Sequence, residues 1–431
     1  MKQKWIIPLF IIIIFTISIL ATIYLGLPII IETITNNYEQ KTMEKAFELD
    51  AQFPNNTKKI KDLQVGQTYS VILYEDGSVW VSGANSYYAD ILVYGTQVNE
   101  FTKVKIEEVE QISVGSNFVL ALTKNGEVYS WGGNDYGQLG REASKIDIIP
   151  KKVPLANIKE IYTYENQAAA LSNNNTAYYW GYATNSSYPD TNKIQTIKNK
   201  RITDIYLKDY QYFFKTEDDK ILGLGFDFDG VTDQKNGWAR EPVEFDINNV
   251  NVIRNYETQK SKSYIVKEDG TVYILDTLKG KELKKIHNTI KAKDIYSFES
   301  IRSNREDYFI IDSANNLYLN DECILENINY ITKAKSNYSA QRILLLKNDG
   351  NVYTHGYSIE NLIGINGYIN AKEEKTLRQI DITEIKFMGI TDNYIILIDI
   401  QNNIYRFGKN DHGGLGCGEK EMCEDFRLKI D

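Results

Sequence analysis

Residues Val128 to Gly140 read VYSWGGNDYGQLG, and four glycines in thirteen residues exclude a helix. Val-Tyr-Ser-Trp alternates bulky and small residues as a strand does. Just before it, LALTKNGE (Leu120 to Glu127) places Asn125-Gly126 between two apolar runs. That is a hairpin signal, and a two-residue type I′ turn is expected because Asn and Gly tolerate positive φ. A hairpin alone is not a fold. What constrains this chain is that the hairpin recurs.

With Val128 as anchor, equivalent hairpins occur at Val79, Ala177, Ile221, Val272, Leu317, Val352 and Ile404, eight in all. A period near 45 residues means a propeller or a solenoid. Three positions support the alignment. The second turn residue is Gly77, Gly126, Asn175, Asp219, Gly270, Asn315, Gly350 or Asn402, residue types that tolerate a left-handed backbone. After the anchor come Trp80, Tyr129, Tyr178, Leu222, Tyr273, Tyr318, Tyr353 and Tyr405, suited to packing between sheets. Four after the anchor comes glycine in six copies, with Asp276 and Asp321 in the other two.

Each interval holds further short apolar segments, such as FTKVK at 101, IPKKVP at 149, REPVEFD at 240, LRQID at 377 and VEQISVG at 109. Four strands per repeat is the size of a propeller blade. The first hairpin lacks such a segment before it, and FRLKI near the carboxyl terminus resembles the missing piece. The expectation is that the last strand completes the first blade, so that truncation after Gly418 destabilises the whole domain.

The amino terminus belongs to another environment. Trp5 to Ile31 is uncharged, and eighteen of its residues are Ile, Leu or Phe. As a helix it is about 40 Å long, more than the ~30 Å hydrocarbon core. A cleaved signal peptide would have a shorter apolar region and a small-residue cleavage site. The expectation is a signal-anchor transmembrane helix over 5–31, after a cytoplasmic tail of residues 1–4. Lys2 and Lys4 precede the span and Lys41 is the next basic residue, so the positive-inside rule puts the rest of the chain outside the cell. Residues 32–62 read as a stalk or a docked helix, and 63–431 as the repeat domain.

Composition limits the partner. The formal net charge is −9, and without Lys2 and Lys4 the remaining 47 basic residues face 58 acidic ones. Nucleic-acid binding needs clustered Lys and Arg to neutralise phosphate, so DNA and RNA are disfavoured.

VGSNFVLALTKNGEVYSWGGNDYGQLG, Val114 to Gly140, resembles the repeat of the regulator of chromosome condensation (RCC1) family. FGKNDHGGLG, Phe407 to Gly416, is the next best copy, and the fourth to sixth copies are the most degenerate. The resemblance spans about Leu63 to Asp431 and implies an all-β, RCC1-like β-propeller. The family usually has seven blades, whereas eight hairpins are counted here. The 35-residue interval between Leu317 and Val352 is where a miscount would fall. The founding activity, nucleotide exchange on a small nuclear GTPase together with chromatin binding, does not suit an acidic chain without a basic tail. Bacterial relatives include secreted inhibitors that bind β-lactamases through one propeller face, which is closer to the expected topology.

No catalytic motif stands out. His287, His355 and His412 show no metal-ligand spacing, and there is no GxSxG, HExxH or phosphate-binding loop. The reading is therefore not an enzyme, with no cofactor and no metal. Asp227, Asp229 and Asp233 resemble part of a calcium loop but lack its bidentate Glu, so a solvated acidic loop is the simpler reading. Cys417 and Cys423 either form a small disulfide or are free thiols, and Cys323 is unpaired in both cases. The segments after the hairpins are aromatic: Tyr87, Tyr88, Tyr136, Tyr182, Tyr188, Phe228 and Trp238. Tyr and Trp are common recognition anchors, although the same residues could pack between blades. The function expected is a membrane-anchored, cell-surface scaffold for a protein partner. A cell-wall or carbohydrate-binding module is the alternative, and a cytosolic exchange-like regulator the second alternative.

Overall fold

The computed structural model describes residues 40–54, 56–84, 98–142, 144–181, 193–208, 210–226, 238–245, 247–255, 262–276, 282–287, 289–300, 305–319, 322–334, 342–357, 373–410 and 412–425. The expected membrane span lies outside them. Among the described residues no helix is long and apolar enough to cross a membrane.

The described residues form eight antiparallel sheets, seven of four strands and one of five. Each sheet is one blade of a propeller. Blade 1 runs Ile60–Val65, Tyr69–Tyr74, Val79–Gly83 and Val98–Val104 from axis to rim, and blade 2 runs Val109–Val114, Phe118–Thr123, Val128–Asn134 and Ser144–Lys152. Blades 3 to 8 cover 158–196, 202–245, 250–287, 292–325, 328–379 and 385–424 in the same order. The first strands of neighbouring blades approach one another, which places them around the axis.

Burial explains why the sequence reads as it does. Second strands such as YSVILY, FVLALT and QAAALS are buried at every position, because a neighbouring blade covers each face. First strands alternate: in IKDLQV, Ile60, Leu63 and Val65 are buried while Asp62 and Gln64 are half-buried. Eight apolar clusters result, one for each junction between blades. The residue after each anchor packs into the junction with the preceding blade, as Trp80 does against blade 8 and Tyr129 against blade 1. All eight copies follow this rule, Leu222 included.

All eight second turn residues have positive φ, from 59° at Asp219 to 85° at Gly77. The turn type differs from the expected I′. Gly126 N–H donates to Thr123 O and Thr123 N–H to Glu127 O, both at 2.9 Å, enclosing three residues of which only Gly126 is left-handed. This is a type I turn closed by a glycine bulge. The glycine at the end of the third strand has a separate cause. A Cβ on Gly132 would lie 2.5 Å from Asn117 O, and one on Gly225 would lie 2.1 Å from Tyr210 O. There the strand end presses on the backbone of the turn between the first two strands.

Two expectations are corrected. FTKVK, IPKKVP, REPVEFD and LRQID belong to the rim strand of the preceding blade, not the inner part of the next. The four-strand repeat is right but its boundary shifts by one strand. Among the described residues the rim strand of blade 1 is thus supplied by Val98–Val104, and no carboxyl-terminal strand enters that sheet. FRLKI itself lies outside the described residues. The eighth blade is no miscount: the short interval arises because Leu317–Leu319 and Glu322–Leu325 are joined through residues 320–321 alone.

Part of the segment read as a stalk packs on blade 1. Residues 40–46 form a short helix, and Phe47–Glu48 adds a fifth strand beside Val104 and Lys103. Phe53 stacks on Phe101 with ring centroids 5.0 Å apart and meets Trp80 edge-on at 5.3 Å.

Candidate recognition face

Topology sorts the connections onto two faces. The tight turns between second and third strands share one face with the short links from each rim strand to the next blade. The third strands end, and the rim strands begin, on the other face. The links there span 84–97 in blade 1, 135–143 in blade 2, 182–194 in blade 3 and 227–237 in blade 4. In sequence, the aromatic candidates fall in these third-to-fourth links, except Trp238, which directly follows one. Tyr87, Tyr88, Tyr182, Tyr188 and Phe228 lie outside the described residues, as do Asp227, Asp229 and Asp233. Trp238 opens a rim strand with its backbone paired to Phe226, and its side chain is outside the described set.

Tyr136 is described, and 37% of its surface is exposed. Its loop is rigidly built. Asn134 is buried; its Oδ1 accepts from Leu139 N–H at 3.0 Å and its Nδ2 donates to Glu142 O at 2.7 Å. Leu139 is fully buried between blades 2 and 3. Gln138 O accepts from Trp180 Nε1 of blade 3 at 2.8 Å, and Gln138 Oε1 accepts from Tyr136 N–H at 2.9 Å. Gly137 and Gly140 are left-handed, with φ of 71° and 70°. Blade 8 repeats the design: Asn410 Oδ1 accepts from Leu415 N–H at 2.9 Å, Leu415 is fully buried, and Gly413 and Gly416 are left-handed. The glycines thus serve turns and not phosphate binding. Within NDYGQLG and NDHGGLG, Asn and Leu are consumed by packing, while Tyr136 and His412 keep part of their surface exposed.

A second set of residues escaped the sequence reading because it is spread over the first strands of six blades. Asp62, Glu160, Asp204, Arg254, Asp294, Tyr296 and Tyr330 occupy the axial side of these strands. Side chains there link one blade to the next. Gln64 Nε2 donates to Ile112 O and Gln111 Nε2 to Ile161 O, both at 3.0 Å. Arg254 makes a two-pronged bond to Asp294 at 2.9 and 2.8 Å, joining blades 5 and 6. Burial works against the Arg254 charge, but the hydrogen bond and charge of Asp294 outweigh it, so its pKa is raised. Burial raises the carboxyl pKa of Asp62 and Asp204. Half of the Tyr330 surface is exposed, but its hydroxyl is shielded from water among the first strands and is pushed up by that desolvation and by the charge of Asp62 two blades away. The only signal was a polar or tyrosine residue two or four places into the first strands of blades 1 to 7. These contacts satisfy one another and act as hoops around the axis.

On the opposite face a cleft of about 490 Å³ lies between blades 1 and 2, lined by Glu48, Glu107, Glu108, Glu127, Lys105 and Tyr129 among others. Lys103 pairs with Glu48 at 2.9 Å, and Lys152 pairs with Glu127. The three histidines sit in blades 5, 7 and 8. Among the described residues no group of three His, Cys, Asp or Glu could hold a metal ion.

The geometry defines an eight-bladed repeat propeller with one face of tight turns and one of long links. Residues 109–138 and 125–162 each match a sequence profile described as the regulator of chromosome condensation (RCC1) repeat. The chain thus carries RCC1-like repeat sequence over residues 109–162. No curated protein sequence matches it. Among solved structures it is similar to Prp20p from Saccharomyces cerevisiae, described together with its binding to Gsp1p and histones. There the identity is 15%, the TM-score 0.54, and 89% of this chain and 90% of that one are covered. It is also similar to yeast RCC1 (Prp20) in its complex with Kap60, with 14% identity, a TM-score of 0.51, and 86% and 85% coverage. At such identities the likeness shows the fold.

Proposed function

We propose that this protein is a recognition scaffold that presents its long-link face to a protein partner at the cell surface, held there by a membrane anchor at residues 5–31. The observation that carries the reading is that every third strand ends, and every rim strand begins, on one face. Tyr136 stands on that face on a loop whose other conserved-type positions, Asn134 and Leu139, are spent on packing. A rigid base with an exposed aromatic is the form a protein-binding hot spot takes. The yeast propellers are described with bound or interacting proteins, which supports a protein partner in kind without naming one. The uncharged run from Trp5 to Ile31, behind Lys2 and Lys4, supports the anchor and its orientation. No catalytic role is assigned.

The test is a photo-crosslinking phenylalanine analogue placed at Tyr136 in intact cells, with the same analogue at Asp349 on the tight-turn face as control. A discrete protein adduct from position 136 alone is expected. Adducts from Asp349 alone would overturn the choice of face, and adducts to glycan alone would favour the carbohydrate-binding alternative. External protease on intact cells tests placement. Digestion of the propeller only after lysis would refute the surface reading and favour a cytosolic regulator.

A further inference from the structure

A ring built from one chain has one junction that the chain does not cross, here between blade 8 and blade 1. The loop after the last hairpin spans it. Ser82 Oγ and Ser70 Oγ of blade 1 donate to the carbonyls of Gly413 and Gly414. Gly418 N–H donates to Asn99 O at 2.9 Å, Cys417 bridges Glu100, and Asn99 Nδ2 donates to Glu419 Oε1 at 2.8 Å. Leu415, Tyr394 and Cys423 share one apolar cluster with Ile60, Trp80 and Phe101 of blade 1.

A disulfide joins Cys417 of this crossing loop to Cys423 of blade 8's own rim strand, six positions on. Cys423 pairs with Gly408. Blade 2 has the same two positions. Arg141 follows Gly140 as Cys417 follows Gly416, and Asp147 pairs with Gly132 as Cys423 pairs with Gly408. There the tie is ionic, Arg141 Nη2 to Asp147 Oδ2 at 3.1 Å. The loop that crosses to the next blade is fastened to its home strand in both cases. At the junction without chain continuity, the fastening is covalent.

We infer that Cys417–Cys423 is a reducible staple of the ring's seam, and that a dithiol reductant loosens the contact between blades 8 and 1 while the other junctions hold. The reaction balances as thiol–disulfide exchange. The dithiol gives up two electrons and two protons and becomes a cyclic disulfide, and the Cys417–Cys423 bond becomes two thiols. Closing so short a loop biases the local equilibrium on the order of ten- to fiftyfold toward the fastened state.

The experiment is hydrogen exchange by mass spectrometry on the whole protein, untreated and after dithiothreitol. It is repeated with Cys417→Ser/Cys423→Ser and with Cys417→Arg/Cys423→Asp, which copies the blade 2 tie. Reduction should lower protection about tenfold or more over 69–83, 98–104 and 394–418, and leave 118–134 and 167–181 unchanged. The serine variant should match the reduced protein and ignore dithiothreitol. The Arg/Asp variant should recover part of the protection and also ignore it. Unchanged exchange on reduction, equal loss in every blade, or three titratable thiols in the untreated protein would each overturn the inference.

Discussion

Gly132→Ala is the sharpest test of how the blades are built. Gly132 has φ of 111°, and a Cβ there would lie 2.5 Å from Asn117 O and 2.8 Å from Phe118 Cα. Both obstacles are backbone, held in the turn that starts the fully buried strand Phe118–Thr123. The dihedral alone costs about 1–3 kcal/mol. Forcing the turn aside costs about 1–3 kcal/mol more, the usual range for overpacking. The expected loss is therefore about 2–6 kcal/mol. Gly418→Ala is the control. Its φ of 74° is also positive though nearer the left-handed well, and the nearest atom to an added Cβ is the flexible Glu100 Oε1 at 3.4 Å. Only the left-handed penalty of about 1–2 kcal/mol applies. Urea unfolding followed by tryptophan fluorescence reads both, because Trp131 is fully buried next to Gly132. Equal losses for the two substitutions would refute the claim that close backbone approach, and not dihedral preference, selects glycine at the end of the third strand.

Two further outcomes are expected. Burial opposes ionisation of Asp76, but Lys58 and the Ser78 hydroxyl and amide hold its carboxyl at about 2. A depressed carboxylate stabilises above its unfolded value near 3.9 and loses that contribution as pH falls toward 2. NMR titration should place Asp76 there, and Asp76→Asn should flatten the acid limb while costing no more than about 1 kcal/mol at pH 7, the pair being open to solvent. A carboxyl titrating at an ordinary value would contradict the assignment. Phe53→Ala removes the stack on Phe101 and the edge contact with Trp80. It should cost about 1–3 kcal/mol, less than a fully buried phenylalanine, and make 40–54 more sensitive to limited proteolysis than the blades.

The scaffold was legible because its constraints are local and repeat. Left-handed turn residues, a terminal glycine and an interface aromatic each solve one steric problem, and the same problem arises eight times. The register between blades was less legible. FTKVK precedes one hairpin and follows another, and sequence order does not say which sheet it joins. Only the pairing of Val81 with Thr102 and of Trp80 with Lys103 decides it. The same ambiguity made blade 1 read as lacking a rim strand, a place that Val98–Val104 fills. The axial hoops were invisible for another reason. Arg254 and Asp294 lie 40 positions apart in sequence and meet only because the first strands of blades 5 and 6 come together at the axis. The loop that carries Tyr136 was legible, since it copies the blade 8 loop at its packing positions, Asn134 and Leu139 against Asn410 and Leu415.

That copy separates what the fold requires from what recognition can use. Asn134 and Asn410 hold their loops, and Leu139 and Leu415 fill the junctions. The third strand ends against a turn, and the rim strand re-enters beside it. The chain between them can therefore change length without moving either end, from residues 320–321 in blade 6 to 358–372 in blade 7. No such freedom exists on the opposite face. There Gly126 N–H and Gly126 O are both committed, to Thr123 O at 2.9 Å and Ile158 N–H at 3.1 Å, tying the turn to the neighbouring blade. Variation is tolerated where backbone hydrogen bonds do not fix the path. The long-link face is thus the one on which new binding residues can arise without disturbing the ring, and the face on which an exposed Tyr136 is best explained.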